Sequence, residues 1–327
     1  MTLKTLFVPG PYDALASHLT TALGPDGNMA SLDYWTPSGN ASQLANRSEA
    51  LVLGPGAEAA FELASEDGDV RLVQFTGCRQ SSETVEALRA GGMIVANAGP
   101  ALAPFVAEHT LSLIRAALAL SGRSEHQVGD LVVGIVGLGN VGIEVARRLR
   151  EEGSTIVYHD VRTVAQGYAD EVGARRQSLD RLLVDSDVVT LHISDTPHTP
   201  ELIGDRELRL MKPGAVLVNT SRSEAIDEEA VASALDSGKL GSVALGVVRI
   251  NPDGRPGPLL DHDRVVVETE DATELDAALK AVAALVADNL RRIEAGETPR
   301  GLMDPAGFPA VGDPAFWSSR LTPRRPA

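Results

Sequence analysis

The chain has a single cysteine among its 327 residues, which excludes an internal disulfide. Aromatic residues make up only 4%, so its cores must be built of Ala, Val and Leu, for which the hydrophobic content of 43% is ample. Basic charge is scarce. With 29 Lys and Arg against 45 Asp and Glu the formal net charge is −16, which argues against a nucleic-acid partner, because phosphate binding needs a basic surface. No apolar run reaches the roughly 18 residues of a membrane span, so no membrane partner is expected. The N-terminus, MTLKTLFVPGPYD, has one lysine and no long apolar stretch, which is not the pattern of a secretory signal. The seven histidines fall at no ligand-like spacing, so no metal site is expected. A soluble cytoplasmic protein of two domains suits this length and composition.

What is present is alternation. Apolar runs at 5–8, 50–53, 72–75 and 93–96 are separated by helical patterns around 14–23, 57–63 and 83–89, with Gly and Pro at the joints. Asn97-Ala98-Gly99-Pro100 punctuates the end of this small α/β unit, and an apolar helix is expected over 105–120. From Leu131 strands and helices alternate again, with runs at 155–158, 188–193, 215–219, 243–248 and 265–267. A long helix over 273–295 is acidic early and carries Arg291-Arg292 late, as the helix dipole prefers. Such alternation predicts parallel sheets with right-handed crossovers. The Pro- and Gly-rich tail from Met303 reads equally as a packed strap or a frayed end.

The stretch VVGIVGLGNVGIEVARRLREEGSTIVYHD, Val132 to Asp160, carries the chemistry. An apolar run ends in Gly137-Leu138-Gly139-Asn140-Val141-Gly142, a helical segment follows, and a second apolar run ends at Asp160. Gly137 permits a tight strand-to-helix turn, Gly139 lets a pyrophosphate approach the backbone, and Gly142 lets helix and strand pack closely. The helix N-terminus offers its N–H groups to phosphate. Asp160, 18 residues after the last glycine, is placed to accept hydrogen bonds from an adenosine ribose. The expected cofactor is NAD before NADP, because a carboxylate repels a 2′-phosphate; Arg162 is the one residue nearby that could partner such a phosphate.

Several further segments, in order from about residue 50 to 300, resemble the D-2-hydroxyacid dehydrogenase family, to which phosphoglycerate dehydrogenase belongs. They are Val95-Ala96-Asn97 with Val106-Ala107-Glu108-His109-Thr110, the glycine motif, and Asp187-Val188-Val189-Thr190-Leu191-His192. Leu210-Met211-Lys212-Pro213-Gly214 running to Asn219-Thr220-Ser221-Arg222, Ile226-Asp227-Glu228-Glu229-Ala230 and Gly238-Lys239-Leu240 complete the set. The resemblance implies two doubly wound parallel-sheet α/β domains: a Rossmann NAD domain, 99–268, inserted into a flavodoxin-like substrate domain, 1–98 with 269–327, and a cleft between them. It implies hydride transfer between nicotinamide and the α-carbon of a small anionic 2-hydroxy or 2-oxo acid. Arg222 would hold the substrate carboxylate, a bidentate task suited to guanidinium. Cofactor contacts would come from Thr110, Gly137, Gly139, Asn140, Val141, Gly142, Asp160, His192, Thr220, Ser221 and Gly246. Substrate contacts would come from the loop Gly77-Cys78-Arg79.

The departures matter as much. The family's Asp-Val-Phe-Glu-x-Glu-Pro corresponds to Gly246-Val247-Val248-Arg249-Ile250-Asn251-Pro252, so Gly246 stands for the aspartate beside the nicotinamide and Asn251 for the glutamate. The catalytic histidine corresponds to Asp271. A free carboxyl with a pKa of about 4 is ionised at neutral pH and donates a proton only if burial raises it. Asp271 or an ordered water is the candidate proton handler, with His262 ranked below it. Arg79 replaces the second glycine of the substrate loop and either favours a more anionic substrate or turns to solvent. Cys78 reads as a small loop residue, and His109 as a structural histidine. The short segment 121–130 leaves a homodimer expected but its arm uncertain. Three functions stay open: a 2-hydroxyacid dehydrogenase with remodelled acid/base groups, a different NAD-assisted reaction such as elimination or imine reduction, and an NAD(H)-binding sensor.

Overall fold

The computed structural model describes residues 3–9, 14–24, 29–31, 47–54, 69–78, 80, 82–123, 125–161, 166–194, 199–249, 257–268 and 272–303. The helix expected at 57–63 and the tail beyond Met303 lie outside these residues. The chain divides into a discontinuous unit, Met1–Ala103 with Asp271–Ala327, and a continuous unit, Pro104–Glu270.

In the discontinuous unit the strands β1 (Thr5–Val8), β2 (Met29–Ser31), β3 (Ala50–Leu53), β4 (Leu72–Phe75) and β5 (Ile94–Ala96) form a parallel sheet in the order β2-β1-β3-β4-β5. This is the flavodoxin-like order. Every residue of β1, β3 and β4 is buried, which is why these strands read as unbroken apolar runs rather than alternating ones. Helices α1 (Ala14–Leu23) and, late in the chain, Ala272–Glu294 supply one core with Leu19, Val286 and Leu290 against Phe7, Val52 and Leu72. Helix α2 (Ser82–Ala90) brings Val85 and Leu88 to a second core with Leu6, Leu51 and Phe75. The residues after the long helix return to this sheet. Asn97 N–H donates to Gly301 O at 2.9 Å and Met303 N–H to Val95 O at 2.8 Å, with an antiparallel bridge between Ala96 and Leu302. Buried Asn289 fixes that return by donating to Gln74 Oε1 at 2.7 Å and to Arg300 O at 2.9 Å, while accepting from Arg300 N–H at 2.7 Å.

Helix α3 (Gly99–Leu120) begins six residues before the apolar run that announced it. Asn97 Oδ1 accepts from Gly99 N–H at 3.0 Å, and Pro100 falls in the first turn, where its missing N–H leaves no helical bond unmade.

The continuous unit holds β6 (Val132–Val136), β7 (Thr155–His159), β8 (Arg175–Arg176), β9 (Val188–Leu191), β10 (Ala215–Asn219), β11 (Leu240–Leu245) and β12 (Val265–Val267). They pair in parallel in the order β12-β11-β10-β9-β6-β7-β8. The chain enters at β6, winds outward to β8, then crosses to β9 and winds the other way, so the direction reverses between β6 and β9. In open α/β sheets ligands bind at such a switch point, outside the carboxyl ends of the strands. The helix following β6, α4 (Asn140–Glu151), packs through Ile143, Val145, Ala146 and Leu149. No helix among the described residues is long and apolar enough to cross a membrane.

Candidate functional site

The carboxyl edge of the continuous sheet gathers most of the residues singled out by sequence. Gly137, just past β6, has φ +93°, and a Cβ there would stand 2.3 Å from the His192 carbonyl oxygen. Only glycine fits. A Cβ on Gly142 would stand 2.1 Å from the Gly137 carbonyl oxygen, so the first turn of α4 lies directly on the loop it follows. Gly139 caps that helix with its backbone alone, without a side-chain hydrogen bond, which leaves first-turn N–H groups for an anion. Asn140 and Val141 open the helix, and Asn140 Oδ1 is a buried acceptor with no partner among the described residues. Buried Asp160, at the end of β7, accepts from Leu138 N–H at 2.9 Å. Its carboxylate thus touches the glycine loop while standing at the next strand end. These residues fit a dinucleotide: a cradle without Cβ atoms, an uncapped helix start, an orphaned polar atom and a carboxylate one strand away.

On the other side of the switch point a chain of hydroxyls and one imidazole ties strand ends to α3. The Val106 carbonyl can only accept, so Thr110 Oγ1 donates to it at 2.6 Å. With its one proton used, Thr110 accepts from Thr220 Oγ1 at 3.1 Å. Thr220 in turn accepts from His192 Nδ1 at 3.3 Å. Although solvent reaches part of His192, burial pushes its imidazole down to about 3, so the ring is neutral. A neutral ring with Nδ1 protonated leaves Nε2 as the acceptor for the Thr190 hydroxyl at 3.0 Å. The direction of every proton in the chain is therefore fixed from its anchored end. Both nitrogens of His192 are engaged within this chain, Nδ1 as donor and Nε2 as acceptor.

Thr190 was not singled out as a site residue. Its signal was its spacing from His192, since residues two apart on a strand face the same side.

Beyond β10, buried Asn219 shapes the turn that presents Arg222. Its Oδ1 accepts from Ser221 N–H at 3.0 Å and Ser221 Oγ at 2.9 Å, and its Nδ2 donates to Arg222 O at 2.6 Å. Gly246, at the end of β11, donates its N–H to Asn219 O at 3.0 Å. Arg222 is partly buried at the start of a short 3-10 turn, Ser223–Ala225. His262 lies elsewhere, in the approach to β12, with Nε2 3.4 Å from Asp236 Oδ1.

In the discontinuous unit the loop after β4 carries Gly77, whose carbonyl accepts from Ala98 N–H at 3.0 Å, and Cys78, which is exposed. Arg79, Arg162, Asn251 and Asp271 lie outside the described residues. Among the described residues no group of His, Cys, Asp and Glu could hold a metal ion.

Comparison with known proteins is consistent with this geometry. Residues 114–269 match the family model "D-isomer specific 2-hydroxyacid dehydrogenase, NAD binding domain". The chain is 36% identical over 180 residues to a glyoxylate reductase of Korarchaeum cryptofilum, covering 55% of this chain and 54% of that protein. It is 28% identical over 277 residues to a D-3-phosphoglycerate dehydrogenase of Methanocaldococcus jannaschii, covering 80% of this chain and 52% of the relative. The chain thus spans about half the length of these curated relatives. The solved structure of a glyoxylate reductase from Paecilomyes thermophila superposes with a TM-score of 0.71 at 26% identity, covering 91% of this chain and 97% of that one. The unit that holds the glycine cradle thus matches, over residues 114–269, the NAD-binding domain of the D-isomer specific 2-hydroxyacid dehydrogenase family.

Proposed function

We propose that the protein is an NAD-dependent oxidoreductase acting on a small anionic 2-hydroxy or 2-oxo acid. The observation that carries this reading is the placement of Arg222 on the same carboxyl edge as the glycine cradle, held there by the Asn219 turn. Bound NAD(H) supplies the hydride chemistry. The chain supplies the rest. N–H groups at the start of α4 hold the pyrophosphate, and Asp160 takes the adenosine ribose. His192, Thr220, Ser221 and Gly246, at the ends of β9, β10 and β11, would hold the nicotinamide half. Arg222 pairs with the substrate carboxylate, and its fixed fork orients the adjacent carbonyl.

The test is NADH oxidation against a panel of 2-oxo acids, dicarboxylates and phosphonates included, with Arg222→Ala as the control. Turnover that depends on Arg222 is the expected result. Intact NADH binding without turnover on any of them would overturn the dehydrogenase reading and favour sensing or another reaction.

Cofactor choice is a separate matter. Asp160→Asn keeps an acceptor for Leu138 N–H but removes the charge facing a 2′-phosphate. The ratio of NADPH to NADH affinity should rise by about tenfold, read by fluorescence titration of both cofactors. An unchanged ratio would take Asp160 off the ribose.

A further inference from the structure

Gly246 has an ordinary backbone, outside the left-handed region, so its conformation does not demand glycine. Its surroundings do. A Cβ at this position would stand 3.0 Å from Thr220 Cγ2, 3.2 Å from His109 Nε2 and 3.3 Å from Leu113 Cδ1. The missing side chain is what lets the His109 imidazole come up against the end of β11.

His109 and Leu113 are one turn apart on α3, and Val106 and Thr110, the anchor of the threonine chain, share the same stripe. One helix face therefore brings two groups to the ends of β10 and β11: a hydroxyl locked into a chain of fixed protons, and an imidazole beside it. No described residue hydrogen-bonds the His109 ring, whereas His192, at the end of β9, has both nitrogens occupied. A histidine needed only for packing would be as well served by an apolar side chain of its size.

We propose that His109 is a cofactor-binding residue, its Nε2 hydrogen-bonding the carboxamide of the nicotinamide, with Gly246 kept small to admit it. A carboxamide offers both a donor and an acceptor, so it can meet an imidazole nitrogen in either tautomer. This rests on placing the nicotinamide half over β10 and β11, as in the function proposed above, but it does not rest on turnover.

The experiment compares NADH with ADP-ribose, which shares every part of the cofactor except the nicotinamide. Both are titrated against the full chain and three variants. His109→Leu should weaken NADH by roughly tenfold and leave ADP-ribose unchanged, as expected for one lost hydrogen bond. His109→Gln, which keeps an amide able to donate and accept, should retain most of the NADH affinity. Gly246→Ala, approaching from the opposite side, should displace the ring and reproduce the selective loss. Unchanged NADH affinity, parallel loss of both ligands, or Gln behaving like Leu would each overturn the assignment. ADP-ribose binding reports that each variant is folded. Selective loss of NADH in a chain that turns over no 2-oxo acid would refute the dehydrogenase reading and leave this one standing.

Discussion

Gly137→Ala should cost about 2–5 kcal/mol of unfolding free energy and abolish measurable NADH binding. Two penalties act together. The left-handed φ of +93° is unfavourable for any residue with a Cβ, and that Cβ would stand 2.3 Å from the backbone oxygen of His192. A flexible side chain could swing away, but the obstacle is the main chain leaving β9. Relief requires β6 and β9 to move apart at the switch point, and their separation sets the shape of the phosphate cradle. Denaturant unfolding gives the first quantity and fluorescence titration of NADH the second. Wild-type values for both would show that the loop relaxes elsewhere and that the close approach to His192 is not a constraint.

Lowering the pH from 7 to 4 should remove about 1–3 kcal/mol of stability through His192 alone, discounted for the part of the residue that solvent reaches. The sign follows from the direction of the shift. Burial lowers the folded-state value from 6.5 to about 3, so below pH 6.5 the unfolded chain takes up a proton that the folded chain refuses. The contribution is complete above pH 6.5 and is lost as the pH falls towards 3. Other groups titrate in this range, among them Glu228, whose pKa burial raises and which acts in the opposite sense. The informative quantity is therefore the difference between wild type and His192→Gln in urea midpoints across the range. The variant should lose the added acid sensitivity. Parallel curves would mean that His192 is protonated in the folded state, and the proton order from Val106 to Thr190 would fall with it.

The sequence carried the architecture because parallel strands covered on both faces leave uninterrupted apolar runs, as at β1, β3, β4 and β10. It also carried the phosphate cradle, because Gly137, Gly139 and Gly142 act within one turn and Asp160 one strand later. The strands missed were sheet edges. β8 is two exposed arginines and β2 only three residues, so neither leaves an apolar run. The start of α3 was hidden by Gly99 and Pro100, which read as punctuation but serve as a helix start under the Asn97 side chain. The threonine–histidine chain was out of reach for another reason. Thr110, Thr190 and Thr220 belong to three distant segments, and only the pairing of β9 with β10 and the packing of α3 bring them within hydrogen-bond distance.

The return of residues 289–303 to the first sheet sets an order of events during synthesis. Leu3 N–H is held by Glu294 Oε1 at 2.5 Å and Arg71 by Ile293 O at 3.3 Å, partners 291 and 222 residues away. The continuous unit has all its strands once residue 270 has emerged, whereas the N-terminal strands still lack their last helix. Until the last helix arrives, β5 presents an open edge and Phe7, Val52 and Leu72 have no cover from Val286 and Leu290. Aggregation of nascent or truncated chains should therefore begin in the strands that precede the continuous unit, and a chaperone that shields them has the whole of that unit's synthesis time in which to act.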